Sequence, residues 1–482
     1  MNRPSLDLRT LAASLLLMSL DACTLGPDYQ TQPGPLPAQY VRTQASPSGD
    51  STPRLDDQHA PAQAWWLAFA SPQLNALVRS ALAHNPSLAS AQAALSQAEE
   101  NAAAQYSSTL PQVQASYTPS RQRYPLGTLS PTLNSNAAVY NLHTAQVSVG
   151  YVFDLFGSNH RGVEAARAAV DIQAEQLQGA RESLAADTVS TAINLAFLQE
   201  QIRLNQALID DQAEVLRLVE QQAQLGYASG LDVASARNNL AQAQQALPAL
   251  EKLWHQGQDL LAVLVGTLPA QGQKWPLQPQ DLKLPATLPI GLPASLVQRR
   301  PDVRAADAAV HEASAQLGVA IASRWPNISL SAAEGGSATN FGSMFSSGDV
   351  FWNITGNLTQ PLFDFGSLKH RQRAAQAALT QAQASYRSVV LYAFANVADS
   401  LQALQDDTQA YEAAEHAEQA AHLYTQHSKS QFDAGYSNRI AWLSARVAER
   451  QASLTRLQAQ SARYLDTVAL DLALGGACPP TP

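Results

Sequence analysis

Few residues of the 482-residue chain have a type and spacing that could do chemistry. The sequence contains no HExxH, GxSxG, P-loop or dinucleotide-binding glycine pattern. His416, His422 and His427 are close in sequence, but spacings of six and five residues put them on different faces of a helix. We therefore expect no catalytic site, no metal site and no cofactor.

Cys23 is the one side chain for which the sequence predicts a covalent change. Two arginines, an apolar run over residues 11–20 and Ala22 precede it, which indicates an export signal over residues 1–22. The Leu-Asp-Ala-Cys that ends in this cysteine is similar to the bacterial motif at which the signal is removed and the cysteine thiol is acylated. Asp21 departs from the small or uncharged residue usual there, so a plain secretory signal with an incidental cysteine is the alternative.

Composition and charge exclude several classes of protein. Charged residues make up only 14% of the chain and aromatic residues 7%, a mixture that favours long helices over a thick globular core. The net charge is −9 and the basic residues are scattered, so nucleic acid is excluded as a partner. No run of about 18 uncharged apolar residues follows the signal, so any membrane insertion is expected through strands. The only other cysteine is Cys478, which leaves no internal disulfide if the first is acylated.

The sequence contains an internal duplication. Residues 85–111 match residues 300–326 at an offset of 215, whereas residues 156–266 match residues 365–475 at an offset of 209. The difference of six residues therefore lies between residues 111 and 156. Each half predicts a helix, a pair of strands, a long helix, a turn and a further helix. The segment that joins the halves is rich in proline, which rules out a continuous helix there.

The long helical parts carry apolar residues at every seventh position. A strict repeat of seven imposes a left-handed supercoil on helices that pack against neighbours. Residues 158–226 contain no proline and predict a single helix of roughly 100 Å. A rigid coiled-coil spacer would show the same pattern and stays open. The seams are Val163, Val170, Leu177 and Leu184; Leu195, Ile202, Ile209 and Leu216; and Val390, Val397, Leu404 and Tyr411.

Alternating apolar and polar residues predict four strands between the helices. The second candidate puts Val147, Val149 and Tyr151 on one face and polar residues or glycine on the other. About ten residues with this alternation is the length that a tilted strand needs to cross a bilayer. An ordinary half-buried sheet is the alternative. The candidates are residues 112–118, 143–154, 327–333 and 351–362.

Four strands are too few to close a membrane barrel. The smallest membrane barrels have about eight strands, and each unpaired backbone group at an open edge in lipid costs several kcal/mol. Insertion into a membrane therefore predicts that several chains share one barrel, and three chains would supply twelve strands. The same closure would place each long helix between two neighbours, which explains the abundance of alanine.

Several short motifs resemble those of a known family. Residues 65–69, Trp-Trp-Leu-Ala-Phe, followed by Ser-Pro-Gln-Leu at residues 71–74, resemble the entry segment of the outer-membrane efflux proteins, the TolC-like outer membrane factors. Residues 299–306, Arg-Arg-Pro-Asp-Val-Arg-Ala-Ala, are similar to the hallmark that opens the second half of their NodT/OprM-type lipoprotein branch. Residues 25–29, directly after the predicted acylation site, also resemble that branch.

The resemblance implies an α+β membrane protein: a homotrimer with a twelve-stranded outer-membrane β-barrel, continued by a long coiled-coil helical barrel in the periplasm and girdled by an equatorial collar. Its implied partners are a periplasmic adaptor (membrane fusion) protein, an inner-membrane pump and outer-membrane lipid. The implied function is a passive, gated exit duct for small molecules, anchored by lipid at Cys23, without enzymatic activity. A coiled-coil envelope lipoprotein without transport is the alternative.

These expectations divide the chain into six segments. They are a signal peptide (1–22), a lipidated tail with an equatorial segment (23–84), a first repeat (85–266), a proline-rich equatorial linker (267–299), a second repeat (300–475) and a C-terminal tail (476–482).

Members of this family close their periplasmic end at the tips of two helical hairpins, which correspond here to residues 226–237 and 435–446. Each of these tips begins with a glycine, Gly226 or Gly435. Glycine suits a hairpin tip because it alone enters left-handed backbone conformations at little cost.

The polar residues of the two tips suggest a latch. Where relatives commonly place aspartates in the second tip, this chain has Ala441 and Ser444. The first tip keeps the acid Asp232, and the second offers Arg439 and Tyr436. We hypothesise that Asp232 and Arg439 help to latch the closed end, between hairpins or between subunits. Two unrelated surface charges are an equally weighted alternative, because exposed ion pairs contribute only about 0 to 1 kcal/mol.

Overall fold

A computed structural model describes residues 24–30, 54–56, 64–123, 139–271, 277–291 and 293–476. The chain forms two compact units, each built from three separate stretches of sequence. The predicted acylation site, Cys23, and the second cysteine, Cys478, lie outside the described residues. The first unit contains Met1–Gln32, Leu95–Gln173 and Ala306–Tyr386, and the second contains Pro33–Ala94, Ala174–Ala305 and Arg387–Pro482.

The predicted order of elements occurs twice, which confirms the internal duplication. The long helix predicted over residues 158–226 is also confirmed. In chain order the strands and α-helices are β1 (Arg54–Asp56), α1 (Pro72–His84), α2 (Pro86–Ser107), β2 (Gln112–Arg123), β3 (Val139–Phe153), α3 (Ser158–Gln224), α4 (Gly230–Val265), β4 (Thr287–Pro289), α5 (Pro293–Arg299), α6 (Pro301–Ala322), β5 (Asn327–Ala338), β6 (Val350–Thr359), α7 (Ser367–Asp433) and α8 (Arg439–Ala473).

The first unit contains an antiparallel sheet in the order β2-β3-β5-β6, so the second strand of the first repeat pairs with the first strand of the second repeat. All four predicted strands are confirmed, with different ends. β2 and β5 continue beyond residues 118 and 333, and β2 accommodates Pro119 because it is an outer strand. β6 ends at Thr359 rather than at residue 362, and Pro361 just beyond it has no N–H to donate to a ladder.

One face of the sheet is apolar and exposed. Leu358 and Ile354 of β6 are 65% and 66% exposed, and Val113 of β2 is 69% exposed. The central strands contribute Val147 and Val149, which are also exposed. An exposed and largely apolar face of this kind marks a surface that meets another protein or lipid.

The heptad seams pack inward, as the sequence predicted. Eight of the twelve seam residues are buried, and the other four are half-buried: Val170, Ile202, Leu216 and Tyr411. None of the helices in the described ranges is long and apolar enough to cross a membrane. The buried seam residues are Val163, Leu177, Leu184, Leu195, Ile209, Val390, Val397 and Leu404.

Residues of two family-like motifs make packing contacts in the second unit. The Trp-Trp-Leu-Ala-Phe motif forms a short 3-10 turn, Trp65–Phe69, whose Phe69 ring lies 6.0 Å from that of Tyr464. The side chain of Arg300, in the second motif, donates to the carbonyl oxygen of Ala473 at 2.8 Å. Two of its nitrogens also donate to the carboxylate of Asp302. The N-terminal part, the linker and the end of α8 therefore meet around these motif residues.

Two glycines of the sheet provide a test of the β3–β5 pairing. A Cβ at Gly335 would lie 2.3 Å from the carbonyl oxygen of Ala145, whereas a Cβ at Gly150 would meet nothing within 4 Å. We expect Gly335→Ala to destabilise the sheet by about 1–3 kcal/mol, because the clash is with backbone. Gly150→Ala, the matched control, is expected to melt like the parent protein in far-ultraviolet circular dichroism. Equal melting temperatures for the two variants would contradict the pairing.

Candidate functional site

Two helical hairpins, α3–α4 and α7–α8, end in turns of matching construction. Gly226 has a φ of 80° and Gly435 a φ of 78°, so both predicted tip glycines occupy the left-handed region. Ser229 and Asn438, which are related by the offset of 209, cap the helices that follow. Both turns thus fall within the ranges 226–237 and 435–446, and their role as the closed end stays a prediction.

Asp232 has a local role at the first tip. The N–H and the hydroxyl of Ser229 donate to its Oδ2 at 2.8 and 2.7 Å, and the N–H of Asp232 donates back to Ser229 Oγ at 3.2 Å. These hydrogen bonds lower the pKa of Asp232. The pair is a capping box, which satisfies N–H groups that a helix start leaves without partners.

The second tip needs no acid at the equivalent position, Ala441. There the side-chain oxygen of Asn438 accepts the N–H of Ala441 at 2.8 Å. Asn438 thus caps this helix although the tip has no aspartate at position 441.

Arg439 contacts the first hairpin, but not at Asp232. Its Nη2 lies 3.0 Å from Oε1 of Glu214 on α3, and the same carboxylate accepts two hydrogen bonds from Arg217. The pKa of Glu214 is lowered, chiefly by the hydrogen bond from Arg217. Burial acts in the opposite direction, and the charge of Arg439 adds to the lowering. Within one chain the structure does not bring Asp232 and Arg439 together, and a contact of theirs between subunits stays a prediction.

Asp211 forms a second link between the hairpins. It lies one turn before Glu214 on α3, and its Oδ1 is 2.6 Å from Nη2 of Arg446 on α8. Arg450, one turn further along α8, reaches Oδ2 at 3.7 Å. Only 6% of the Asp211 side chain is exposed, and burial raises its pKa although both arginines oppose that shift.

Sequence reasoning missed this link. Arg446 matches Arg237 at the offset of 209, but Arg237 pairs within its own hairpin, with Glu220 at 2.7 Å. The two arginines are equivalent in the repeat, so the repeat does not reveal that Arg446 contacts the other hairpin whereas Arg237 contacts its own. A detectable signal was present, because Arg439, Arg446 and Arg450 share one face of a helix.

The predicted tip residues Tyr436 and Ser444 are exposed. Tyr436 is 88% exposed and its counterpart in the first tip, Tyr227, is 83% exposed. Leu225 and Leu231, beside Tyr227, are also exposed. Both hairpins thus present an exposed aromatic ring at their ends, and the first adds two exposed leucines.

Ionisable groups lie inside the second hairpin, between α7 and α8. The carboxyl of Asp466 on α8 lies near that of Asp407 on α7, and the guanidinium of Arg463 lies 4.7 Å from the centre of the Tyr411 ring. Burial first, and then the neighbouring Asp407, raises the pKa of Asp466 to about 6. We call these four residues the polar seam.

The first hairpin is apolar at the corresponding positions. The offset of 209 places Leu198, Ile202, Trp254 and Gly257 where the polar seam has Asp407, Tyr411, Arg463 and Asp466. The helices approach closely there, since a Cβ on Gly257 would lie 2.8 Å from a methyl carbon of Leu195. The two hairpins therefore differ in the chemistry that holds their helices together, although they share one length and one turn.

The described residues contain no group of three or more His, Cys, Asp or Glu side chains that could hold a metal ion. Of the three histidines noted in the sequence, His422 lies 2.6 Å from Oε1 of Glu449, in contact with the return helix. This contact joins the two helices of the second hairpin, α7 and α8.

Comparison with known proteins matches this arrangement. The family model described as outer membrane efflux protein matches residues 77–267 and 292–476, one segment in each repeat. The pyoverdine export outer membrane protein OpmQ of Pseudomonas putida is 30% identical, over 90% of this chain and 92% of that protein. Nodulation protein T of Rhizobium leguminosarum bv. trifolii is 27% identical, over 95% of each.

A solved structure, that of the outer-membrane channel OprN, superposes with a TM-score of 0.83 at 26% identity and covers 94% of this chain and 99% of its own. Four strands per chain, long helices and a two-fold repeat are thus the features of a TolC-like outer-membrane channel. The family resemblance predicted from the motifs is confirmed. This chain belongs to the outer membrane efflux protein family and is an outer-membrane channel of efflux systems, a transport protein and not an enzyme.

Proposed function

We propose that three copies of this chain form one channel, with a shared barrel of twelve strands that opens into a periplasmic tunnel of helices. The supporting observation is the sheet of the first unit. In the described residues, β2 and β6 each pair with one strand only, and their other edges face no strand. Backbone groups at such an edge cost several kcal/mol each in lipid, so the edges must be covered by other copies.

The exposed apolar face of the sheet supports the same proposal. A barrel of three copies would turn Val113, Ile354 and Leu358 towards lipid and the alternate polar residues towards water. The cargo that we propose is a small molecule handed over by the pump. The name of the Pseudomonas putida relative, a pyoverdine export outer membrane protein, supports an export role of this kind.

We further propose that Cys23 carries the lipid that anchors the channel. The residues that follow it are held firmly in the first unit: Asp28 lies 2.6 Å from the buried guanidinium of Arg161, and the Tyr29 ring stacks on His311 at 4.4 Å. A fixed segment directly after the acylated residue would place the acyl chains at a constant depth.

The tips of the hairpins are the proposed meeting place with a periplasmic adaptor protein, which would in turn connect the channel to an inner-membrane pump. Tyr227 and Tyr436 supply exposed aromatic rings there, and Leu225 and Leu231 supply apolar area. Aromatic side chains with few rotatable bonds are suited to such anchoring contacts.

The gate that we propose is the set of charged contacts just above the tips. Arg439 to Glu214 and Arg446 to Asp211 tie the second hairpin to the first within one subunit. Asp232, Tyr436 and Ser444 would meet neighbouring subunits at the closed end. Opening requires the second hairpin to separate from the first.

The channel itself is tested by planar-bilayer recording. We expect the purified protein to insert as a trimer and to give discrete conductance steps of one size, because three chains are needed to close one barrel. Monomers without conductance would contradict the proposal, and so would conductance that varies continuously with the amount of protein.

The gate is tested by removing one charge from its best-buried contact. We expect Asp211→Asn and Arg446→Ala each to raise the open probability about two- to tenfold, because each removes an ion pair that is made only when the hairpins are together. Arg203→Ala is the matched control, since Arg203 pairs with Glu200 on the same helix. A rise in the control as large as in the two variants would remove the gate proposal.

The polar seam predicts a pH dependence of stability. Because the pKa of Asp466 is raised to about 6 in the folded protein, its protonated carboxyl stabilises the fold, and this contribution is lost as the pH rises through that value. Asp466→Asn is therefore expected to melt at a higher temperature than the parent protein at about pH 8, with the difference vanishing near about pH 4. Asp399→Asn, an exposed change on α7, serves as control, and a difference independent of pH would contradict the assignment.

A further inference from the structure

The charged side chains of the sheet all belong to its largely apolar face. Side chains alternate between the two faces of a strand, so Arg121 and Arg123 of β2 share the face of Val113. The pairing of the strands places His143 of β3 and Glu334 of β5 on the same face. The other face carries no Asp, Glu, Lys, Arg or His in the four described strands. These charges therefore do not line the water-filled bore of the proposed barrel.

The order of residues along β2 is that of a strand that leaves the lipid tails for the head groups. Eight residues separate Val113 from Arg121, about 26 Å along the strand and about 20 Å across a membrane at a tilt of about 40°. The apolar band of a membrane barrel is about 25 Å tall, so both guanidinium groups lie near its edge. The positions of β2 on this face are Val113, Ala115, Tyr117, Pro119, Arg121 and Arg123.

The two arginines lie at the exterior end of the sheet in the proposed channel. β2 begins opposite Gly150, close to the end of β3 that leads into α3, and it runs away from that helix to Arg123 opposite Val139. Because the long helices would extend into the periplasm, Arg123 faces the outer leaflet. A charged side chain on a lipid-facing surface is stable where water or an opposite charge reaches it.

Neither arginine forms an ion pair with a residue that the structure describes. Glu334, the one acid on this face of the described strands, is in line with Ala115 of β2 through Val147. Ala115 is six residues from Arg121, about 20 Å along the strand, which is too far for an ion pair. The positive charges of β2 are therefore available to an anion outside the chain.

Aromatic rings lie beside the arginines on the same face. The Tyr117 and His143 rings stack with centroids 6.2 Å apart, and the Tyr117 hydroxyl is 2.9 Å from His143 Nδ1. Phe341, from the loop between β5 and β6, packs edge-on against both rings at 5.8 and 6.4 Å and is 65% exposed. Rings of this kind are typical of the level where lipid tails meet head groups. We call these three residues the aromatic shelf.

We propose that Arg121, Arg123 and the aromatic shelf bind a glycolipid of the outer leaflet whose sugar head group carries two phosphates. Two cations about 7 Å apart on one face suit two phosphates, and a guanidinium donates paired hydrogen bonds to phosphate oxygens. A zwitterionic phospholipid suits the site less well, because its own ammonium group lies beside its single phosphate. The inference rests on the proposed barrel and names the lipid that its exterior end would hold.

Native mass spectrometry of the full-length protein in detergent tests this binding. With lipid A that has two phosphates as the probe, we expect up to three molecules to stay bound to each trimer. Monophosphoryl lipid A is expected to bind about fivefold more weakly, because one basic residue near a lipid surface contributes about that factor. Phosphatidylethanolamine that competes as well as lipid A would overturn the choice of lipid.

The two arginines are tested together in the same measurement. We expect Arg121→Gln with Arg123→Gln to bind lipid A about ten- to thirtyfold more weakly. Arg121→Lys with Arg123→Lys is expected to keep most of the affinity, because it keeps both charges. Arg203→Gln, which changes an exposed arginine of α3, is the control and is expected to bind like the parent protein. Equal binding by the glutamine variant and the parent would overturn the proposal.

The aromatic shelf is tested by Phe341→Ala. We expect this variant to bind lipid A about two- to tenfold more weakly, while its trimer without added lipid dissociates at the same temperature as the parent. Unchanged binding would remove the shelf from the site.

The failure of this inference can be distinguished from that of the proposed function. A trimer that conducts in planar bilayers but holds no lipid A would overturn the lipid site and leave the channel standing. Protein that is monomeric by native mass and gives no conductance would remove the proposed function together with this inference.

Discussion

The structure depends on one constraint, the need of every backbone N–H and C=O in a hydrocarbon layer for a partner. A chain with four strands satisfies its inner strands and leaves an edge on either side. This is the reason for proposing that the sheet is one part of a larger closed barrel. The duplication answers the same need, because a unit that pairs with its copy inside the chain already has the geometry for pairing with a copy outside it.

Much of this architecture was visible in the sequence, for identifiable reasons. Heptads locate buried seams because a repeat of seven is almost commensurate with the helix, and alternation locates strands because successive side chains point to opposite faces. Strand ends were less accurate. Pro119 suggests an end, yet β2 continues through it, because within one chain β2 is an outer strand that pairs on one side only.

The candidate site shows where sequence reasoning stops. Gly226 and Gly435 were identified because their backbone conformation admits few other residues. Asp232 and Arg439 were paired on charge alone, and charge does not say which acid of a neighbouring helix lies within reach. Asp211 was missed because its importance lies in its burial between two hairpins. Parts of the chain that are distant in sequence create that burial together.

The equal lengths of α3 and α7 carry a consequence for how the chain can change. Both helices have 67 residues, and both belong to hairpins that contact each other through side chains. An insertion of one residue in only one of them would advance its tip by about 1.5 Å and rotate it by about 100°. We therefore expect insertions and deletions in these helices to be retained mainly as whole heptads made in both repeats at once, so that the two hairpins keep equal lengths.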